Sequence, residues 1–74
     1  MKLDESRLRA MLSVAENLKI DVIASERGYS VCVTDVKGEA HVLRSQRSER
    51  RMWKNLETLH GYLRGIGVGS YTVI

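Results

Sequence analysis

The residues of this chain that are best suited to bind a ligand are basic, and they are concentrated in one segment, 44–54. Five basic residues opposed only by Glu49 give this segment a charge of +4, whereas the whole chain carries +3, so the other residues sum to −1. A focused positive patch is the usual footprint of an anionic partner, and arginines in a fixed frame bind phosphate through paired hydrogen bonds. We therefore predict nucleic-acid binding, most simply to DNA, by the basic residues of this segment. They are Arg44, Arg47, Arg50, Arg51 and Lys54.

The same charges admit other interpretations. A run of charge is commonly a solvated face whose members pair with acids of the same chain, here Glu49, Glu57 or the N-terminal acids. The arginines could also hold the acidic surface of another protein, which makes a protein–protein adaptor or a small regulator or inhibitor the alternative function. Trp53 is the aromatic residue at the basic end, and it is a candidate for core packing, for stacking on an arginine or for a partner interface.

The other reactive residues do not form a catalytic or metal-binding set. His41 and His60 lack a Cys or carboxylate at ligand spacing, and we expect His41 on an exposed strand face and His60 partly buried on a helix. Cys32 lies mid-strand, where cysteine behaves as a small hydrophobe. Asp21 and Asp35 belong to different strands and do not make a carboxylate pair for hydrolysis. We expect no enzyme activity, no bound metal and no cofactor.

Length and composition fit one small domain spanning residues 1–74. Apolar residues make up 43% of the chain, but only four residues are aromatic, so the core must be aliphatic. The single cysteine excludes an intrachain disulfide and fits a reducing cytoplasm. No apolar run approaches the roughly 20 residues of a membrane span, and the first residues are acidic where a signal peptide would be apolar. We expect a cytoplasmic protein that does not contact membranes.

Two segments have the three- and four-residue apolar spacing of amphipathic helices. The first is 4–18, with Asp4 as its N-cap. The second is 48–66, capped by Ser45 or Ser48, so that its first turns would carry basic residues where the helix dipole also favours an anion. The apolar stripes are Leu8, Met11, Leu12, Ala15 and Leu18 in the first helix, and Met52, Leu56, Leu59, Leu63 and Ile66 in the second.

Glycines add detail to the second predicted helix and to the first turn. Gly65 and Gly67 are C-cap signals, while Gly61 inside the helix is expected where the helix approaches the sheet closely. Gly28 supplies a positive φ in the turn between the first two strands if that turn requires one.

Four segments are predicted strands, 20–25, 29–36, 40–45 and 70–74, which gives the order α-β-β-β-α-β. Short turns join the first three in an antiparallel meander. Two helices and one small sheet predict a two-layer α+β domain with both helices on one face. A mixed second face and an apolar terminal strand near a sheet edge favour a homodimer. That second face is expected to show Cys32, Thr34, His41 and Ser45, with Ile23, Val36 and Leu43 among them.

The carboxy-terminal part, about residues 42–74, contains the residues Leu43-Arg44, Arg47, Arg51-x-Trp53, Leu56-Glu57, Leu59, Tyr62-Leu63-Arg64-x-Ile66-Gly67-Val68 and Tyr71-x-Val73. This pattern resembles that of the ParC-family proteins of bacterial plasmids and integrated mobile elements. One departure is Ser48, where the family pattern often has glycine. The resemblance implies a non-enzymatic accessory role in partition, alongside a ParA-like ATPase and a DNA-binding partner.

A second resemblance concerns topology alone. The order α-β-β-β-α is that of double-stranded-RNA-binding domains, which carry basic residues at the start of the second helix. Arg50, Arg51 and Lys54 hold a comparable place in the predicted order, although the basic-alanine motif of those domains is absent and an extra strand follows. A module of that kind is a further alternative.

Overall fold

A computed structural model of the chain describes residues 2–14 and 17–74 and contains one five-stranded sheet and two helices. The predicted α+β class is confirmed, with one strand, β1, that the sequence did not predict. In chain order the elements are β1 (Lys2–Leu3), α1 (Glu5–Val14), β2 (Lys19–Ser25), β3 (Gly28–Thr34), β4 (Ala40–Leu43), α2 (Leu56–Ile66) and β5 (Thr72–Val73).

The sheet is mixed, and its strands lie in the spatial order β1-β4-β3-β2-β5. Strands β2, β3 and β4 form the predicted antiparallel meander. The two short edge strands are parallel to their neighbours, β1 to β4 and β5 to β2. Strand β1 exists because Leu3 is buried beside Leu43 and accepts the Arg44 N–H at 2.8 Å. The C-terminal strand, β5, lies at the edge of the sheet opposite β1, as expected.

One face of the sheet forms the core with both helices. Val31 and Val33 of β3 are buried with Leu8 of α1 and Leu63 of α2 in a single cluster. Burying about ten aliphatic side chains of this kind is the main source of stability for so small a domain. The remaining buried apolar members include Leu3, Ile20, Val22, Leu43, Trp53, Leu59, Ile66 and Val68.

The face assignment of β4 was wrong in the sequence prediction. Val33 pairs directly with His41, so His41 points to the core face and is 8% exposed, and Leu43 follows it there. Directly paired residues of an antiparallel ladder project from the same face, which makes the register decisive. The described β3 ends at Thr34, two residues before the predicted strand end at Val36, and the pairing of Thr34 with Ala40 places the odd-numbered residues of both strands on the core face.

Helix α1 begins as predicted and is shorter than predicted. Asp4 is its N-cap, because the Asp4 Oδ1 accepts the Arg7 N–H at 2.8 Å. The described helix ends at Val14, whereas the predicted one ran to residue 18. Ala15 of the predicted stripe lies outside the described residues, and Leu18 precedes β2 as a half-buried residue that packs on the core.

Helix α2 begins at Leu56, so the prediction that it starts near residue 48 was wrong. Its N-cap is Asn55, whose Oδ1 accepts the Thr58 N–H at 2.8 Å, and neither Ser45 nor Ser48 caps it. Gly67 ends the helix in the left-handed conformation, as predicted. A Cβ on Gly61 would meet nothing within 4 Å, so this glycine does not mark a close approach to the sheet.

Candidate nucleic-acid interface

The segment 44–54, which we call the basic loop, is an insertion within the line of strand β4. The pairing of Cys32 with Val42 places Leu43 beside Val31. Two residues along β3, at Tyr29, the neighbour is Trp53, bound through two backbone hydrogen bonds of 2.8 and 2.9 Å. The strand line therefore stops at Leu43 and resumes at Trp53.

The loop is closed at its base and organised within. The Arg51 N–H donates to the Leu43 carbonyl at 2.9 Å, which brings the two ends together. Inside, the Ser45 N–H donates to the Ser48 carbonyl at 3.0 Å, and the Ser48 hydroxyl donates to the Arg50 carbonyl at 2.8 Å. Serine side chains compete with helical hydrogen bonds in this way, which explains why the predicted first turns of the helix do not form.

Gly28 joins the β2–β3 turn to the far end of the loop. Its φ is +125°, and an added Cβ would lie 2.2 Å from the Trp53 carbonyl oxygen and 3.5 Å from the Lys54 Cα. The predicted need for a positive φ is met here. The turn thus carries Arg27 to the same shallow depression that Lys54 lines, and Arg27 adds a basic residue that sequence reasoning missed. Nothing local in the sequence signals this meeting.

The five predicted binding residues differ in whether their side chains contact the rest of the protein. Arg44, Arg47, Arg50 and Lys54 are exposed. Within residues 2–14 and 17–74, the side chains of Arg47, Arg50 and Lys54 make no ion pair or hydrogen bond, and that of Arg44 makes only a 3.4 Å hydrogen bond to the Ser45 carbonyl.

The acid of the segment is neutralised from elsewhere. The Glu49 carboxylate lies 2.6 Å from the Lys2 Nζ on β1. The hydrogen bond from Lys2 is the main reason that the pKa of Glu49 is lowered from its ordinary value. Glu49 therefore forms no ion pair with the arginines of the loop within the described residues.

Arg51 differs from the other four because the protein itself uses its side chain. The guanidinium carbon lies 4.8 Å from the ring centroid of Trp53 and 4.5 Å from that of Tyr62. One guanidinium nitrogen is 3.5 Å from the Glu5 carboxylate of α1. Cation–π contacts and an ion pair together fix the loop to both helices. We call Glu5, Arg51, Trp53 and Tyr62 the latch.

Trp53 is a core residue. Its side chain is 7% exposed and its ring centroid lies 5.0 Å from that of Tyr62. Of the roles considered for it, core packing and arginine stacking are the ones observed, and the buried ring offers no surface to a partner.

The latch shifts the pKa of two of its members. Burial, and then the Glu5 carboxylate, raise the pKa of Tyr62 to about 12. The Tyr62 hydroxyl and then Arg9 lower the pKa of Glu5. The contact between Tyr62 and Glu5 falls short of hydrogen-bond geometry, and the buried hydroxyl has no hydrogen-bond partner among residues 2–14 and 17–74. The two groups nevertheless influence each other by proximity.

A cleft of about 580 Å³ separates the start of α1 from the basic loop, and both helices begin at this end of the sheet. Glu5 follows two residues after Leu3, the neighbour of Leu43, and Asn55 follows two residues after Trp53. The positive ends of both helix dipoles therefore lie beside the loop and add to its field. The cleft is lined by Asp4, Glu5, Ser6, Arg44, Ser45, Gln46 and Arg51.

A second charged cluster lies at the opposite end of the sheet, in the β3–β4 turn. Ligand atoms of Asp35, Glu39 and His41 lie within 4.8 Å of one another, so carboxylates do accompany His41, contrary to the sequence-based expectation. The Asp35 carboxylate accepts the N–H groups of Lys37 and Glu39 at 2.9 and 3.0 Å and lies 2.9 Å from the His41 Nε2. These contacts explain the cluster as a turn clamp.

The contacts of the turn clamp lower the pKa of its carboxylate. The other reactive residues lie outside both charged clusters. The hydrogen bond from His41, followed by the backbone N–H of Glu39, lowers the pKa of Asp35. His60 is exposed and hydrogen-bonded to the Tyr71 hydroxyl at 2.7 Å, so the expected partial burial was wrong. Cys32 is a free, half-buried thiol.

Comparison with known proteins gives no match among family models, curated proteins or solved structures. The resemblances noted in the sequence therefore rest on residue pattern and element order alone. No helix in the part of the chain that the structure describes is long and apolar enough to cross a membrane.

Proposed function

We propose that this chain is a non-enzymatic DNA-binding module that holds the phosphate backbone of a duplex with its basic loop. One observation carries the proposal: a loop organised by its own hydrogen bonds presents several exposed cations that have no partner within the described residues. An ordered loop fixes the backbone positions of its arginines before binding, so less backbone entropy is lost when phosphates engage. Charges that served only solubility would not need such a frame.

The geometry divides the predicted binding residues into two roles. Arg44, Arg47, Arg50 and Lys54 contact phosphates, with Arg27 of the adjoining turn beside Lys54. Arg51 is a positioning residue, since its guanidinium is held by Glu5 and two aromatic rings. The proposal therefore differs from the sequence-based one, which counted Arg51 among the binding residues.

A duplex is favoured over a single strand because the surface lacks stacking platforms. Proteins that bind single strands stack bases on exposed aromatic rings. Trp53 is buried, and Tyr29, Tyr62 and Tyr71, the other aromatics of the chain, are each partly buried and packed on the core. Binding through phosphates alone is sequence-tolerant and depends steeply on salt, because each contact releases condensed counterions.

The double-stranded-RNA-binding alternative loses its structural basis. In those domains the basic residues belong to the second helix. Here Arg50, Arg51 and Lys54 precede α2, whose first turn contains the acidic Glu57. The comparable placement that motivated the alternative is therefore not found.

The ParC-family resemblance gives the proposal a context. We assign the module an accessory role in the partition of a plasmid or mobile element, next to a ParA-like ATPase. The test is co-purification with the ATPase encoded nearest to this chain, with and without DNA. Absence of such a neighbour, or of any association, would remove the context and leave DNA binding untouched.

Fluorescence anisotropy with a labelled duplex at low salt tests DNA binding directly. Arg47→Glu should weaken binding roughly tenfold and reduce the slope of log K against log salt by about one. Lys37→Glu is the matched control, because it makes the same charge change in the exposed turn at the other end of the sheet. Equal affinity of the two variants would sink the proposal.

The protein–protein adaptor remains the rival class, and the same assay separates it. The duplex, a single strand and a polyglutamate chain are compared at equal ionic strength. Preference for the duplex supports the proposal, whereas preference for polyglutamate replaces it with an acidic protein partner.

A further inference from the structure

The side of the sheet that faces away from both helices, which we call the open face, has a buried carboxylate near its centre. Asp21 lies on β2, directly opposite Cys32 on one side and Thr72 on the other. Its side chain is only 9% exposed, and its Oδ1 is buried with no hydrogen-bond donor among the described residues. An ionisable group this buried normally has a close partner.

Lys19 is the cation nearest to Asp21, and it compensates poorly for that burial. Its Nζ lies 3.9 Å from the Asp21 Oδ2, at the limit of an ion pair, and its side chain is 70% exposed. Half-buried apolar and small residues surround the pair, including Ile23, Cys32 and Val42. The face therefore combines an under-compensated acid, an available base and an apolar border.

We infer that the open face binds the same face of a second copy of this chain, and that Lys19 of each copy pairs with Asp21 of the other. The occupant follows from charge. Nucleic acids and anionic membranes bring no cation to Asp21, whereas a second copy brings a lysine two residues from its own Asp21.

A twofold axis makes the pairing reciprocal. The register places Lys19, Thr34 and Ala40 in one row across the sheet and Asp21, Cys32 and Val42 in the next row of the same face. The twofold axis lies between the two stacked sheets, runs perpendicular to the strands and passes midway between these two rows. Rotation about this axis places each row of one copy opposite the other row of its neighbour. Sheets packed face to face in this manner are about 10 Å apart, within reach of a lysine side chain.

This dimer is independent of the proposed DNA binding. The basic loop lies at the end of the sheet, beyond Leu43, and it meets the open face only through the pair that Glu49 forms with Lys2 among the described residues. Because the axis is perpendicular to the strands, the two loops of a dimer lie at opposite ends. Loss of the dimer would leave a monomer that still binds one duplex, and loss of DNA binding would leave the dimer intact.

Size-exclusion chromatography with light scattering tests the inference by mixing two charge-reversed variants. Asp21→Lys places two lysines against each other in a homodimer, and Lys19→Asp places two acids there, so each alone should weaken self-association by roughly tenfold or more. In an equimolar mixture every pair is again opposite in charge, and the dimer mass should return.

Three results would overturn the inference: a wild type that is monomeric at all concentrations, variants that dimerise like the wild type, or a mixture that stays monomeric. Circular dichroism confirms that each variant folds. If Asp21→Lys does not fold, Thr34→Arg takes its place, because Thr34 faces Cys32 of the second copy, and it must weaken the dimer. A short dimaleimide should join two copies through Cys32, the only cysteine of the chain, in the wild type and not in Lys19→Asp.

Discussion

The charged residues at the two ends of the sheet differ in whether the protein itself pairs them. At the β3–β4 turn, Asp35 is satisfied by two backbone N–H groups and by His41. At the basic loop, Arg47 and Arg50 are left unpaired within the described residues although the loop itself is well organised. A chain of this size can evidently neutralise its own charges within a turn. The contrast indicates that the loop's charge is not a by-product of folding, and five measurements test it.

The largest expected effect comes from Gly28→Ala, which disrupts the contact between the β2–β3 turn and the basic loop and leaves the other end of the sheet unchanged. The new Cβ would collide with the Trp53 carbonyl, and φ is +125° at this position. We expect the free energy of unfolding to fall by about 3 kcal/mol in urea titrations.

Gly61→Ala is the control for that change. Space around Gly61 is open, so this variant should gain about 1 kcal/mol from helix propensity. Equal behaviour of the two glycine variants would show that the contact between the turn and the loop is unimportant.

The turn clamp provides the next effect. Asp35→Ala removes the acceptor for two N–H groups and the partner of His41, so we expect the thermal unfolding midpoint to fall by several degrees. Glu49→Ala breaks only the exposed pair with Lys2 and should change the midpoint little. A drop as large in Glu49→Ala would erase the proposed difference between the two ends.

The clamp also gives a pH dependence with a definite sign. The folded pKa of Asp35 is lowered below its ordinary value of 3.8, so its stabilising contribution is complete above that value. The contribution is lost as pH falls through the lower, folded pKa. In chemical unfolding followed by circular dichroism, the free energy of unfolding should therefore fall less on acidification in Asp35→Ala than in the wild type, because the variant has no such contribution to lose.

A smaller effect tests the latch by its sign. Glu5→Gln removes an acid next to the basic loop, and electrostatics alone predict tighter DNA binding. Because Glu5 holds Arg51 in place, we expect affinity to weaken about threefold instead, within the range of an exposed ion pair. The emission of Trp53, the only tryptophan, should shift as the Arg51 contact loosens.

Glu57→Gln is the matched control for the latch. It removes an exposed acid from the first turn of α2 that makes no side-chain contact within the described residues, and it should tighten binding slightly. Tighter binding in both variants would show that Glu5 acts only through its charge.

The smallest effect is the titration of Tyr62. Its folded pKa of about 12 lies above the ordinary value of 10. The stabilisation from the neutral phenol is therefore complete below pH 10 and is lost as pH rises from 10 to about 12. Ultraviolet titration should show one tyrosine ionising at higher pH than the others, and Glu5→Gln should lower the pH at which that tyrosine ionises. No change in Glu5→Gln would mean that burial alone sets the shift.

Much of the fold could be predicted because it is encoded in local periodicity. The alternation in β2 and β3 and the leucine spacing of α2 each repeat over several residues. Strand β1 could not be predicted, since two residues carry no period and pair only once Leu43 is in place. The start of α2 was missed because Met52 continues the helical spacing, while Ser48 and Tyr29 claim the backbone groups that a helix would use.

The candidate site divides in the same way. Its position follows from charge density alone, which composition reveals. The separate role of Arg51 depends on Glu5, and the neutralisation of Glu49 depends on Lys2, and both partners are distant in sequence. Arg27 joins the patch only because Gly28 meets the Trp53 carbonyl. Pairings of this kind are decided by tertiary contacts, which leave no mark on local sequence.

The hydrogen bond between the Arg51 N–H and the Leu43 carbonyl has a consequence for how this protein can diversify. With its base closed there, the stretch 45–50 can vary in length and composition while the strands on either side keep their register, as in other surface segments that tolerate insertion. The loop proposed for recognition and the sheet that supports it are thereby separable parts of the chain. The segment is a natural cassette, suited to exchange between related sequences and to the grafting of new recognition loops onto an unchanged sheet.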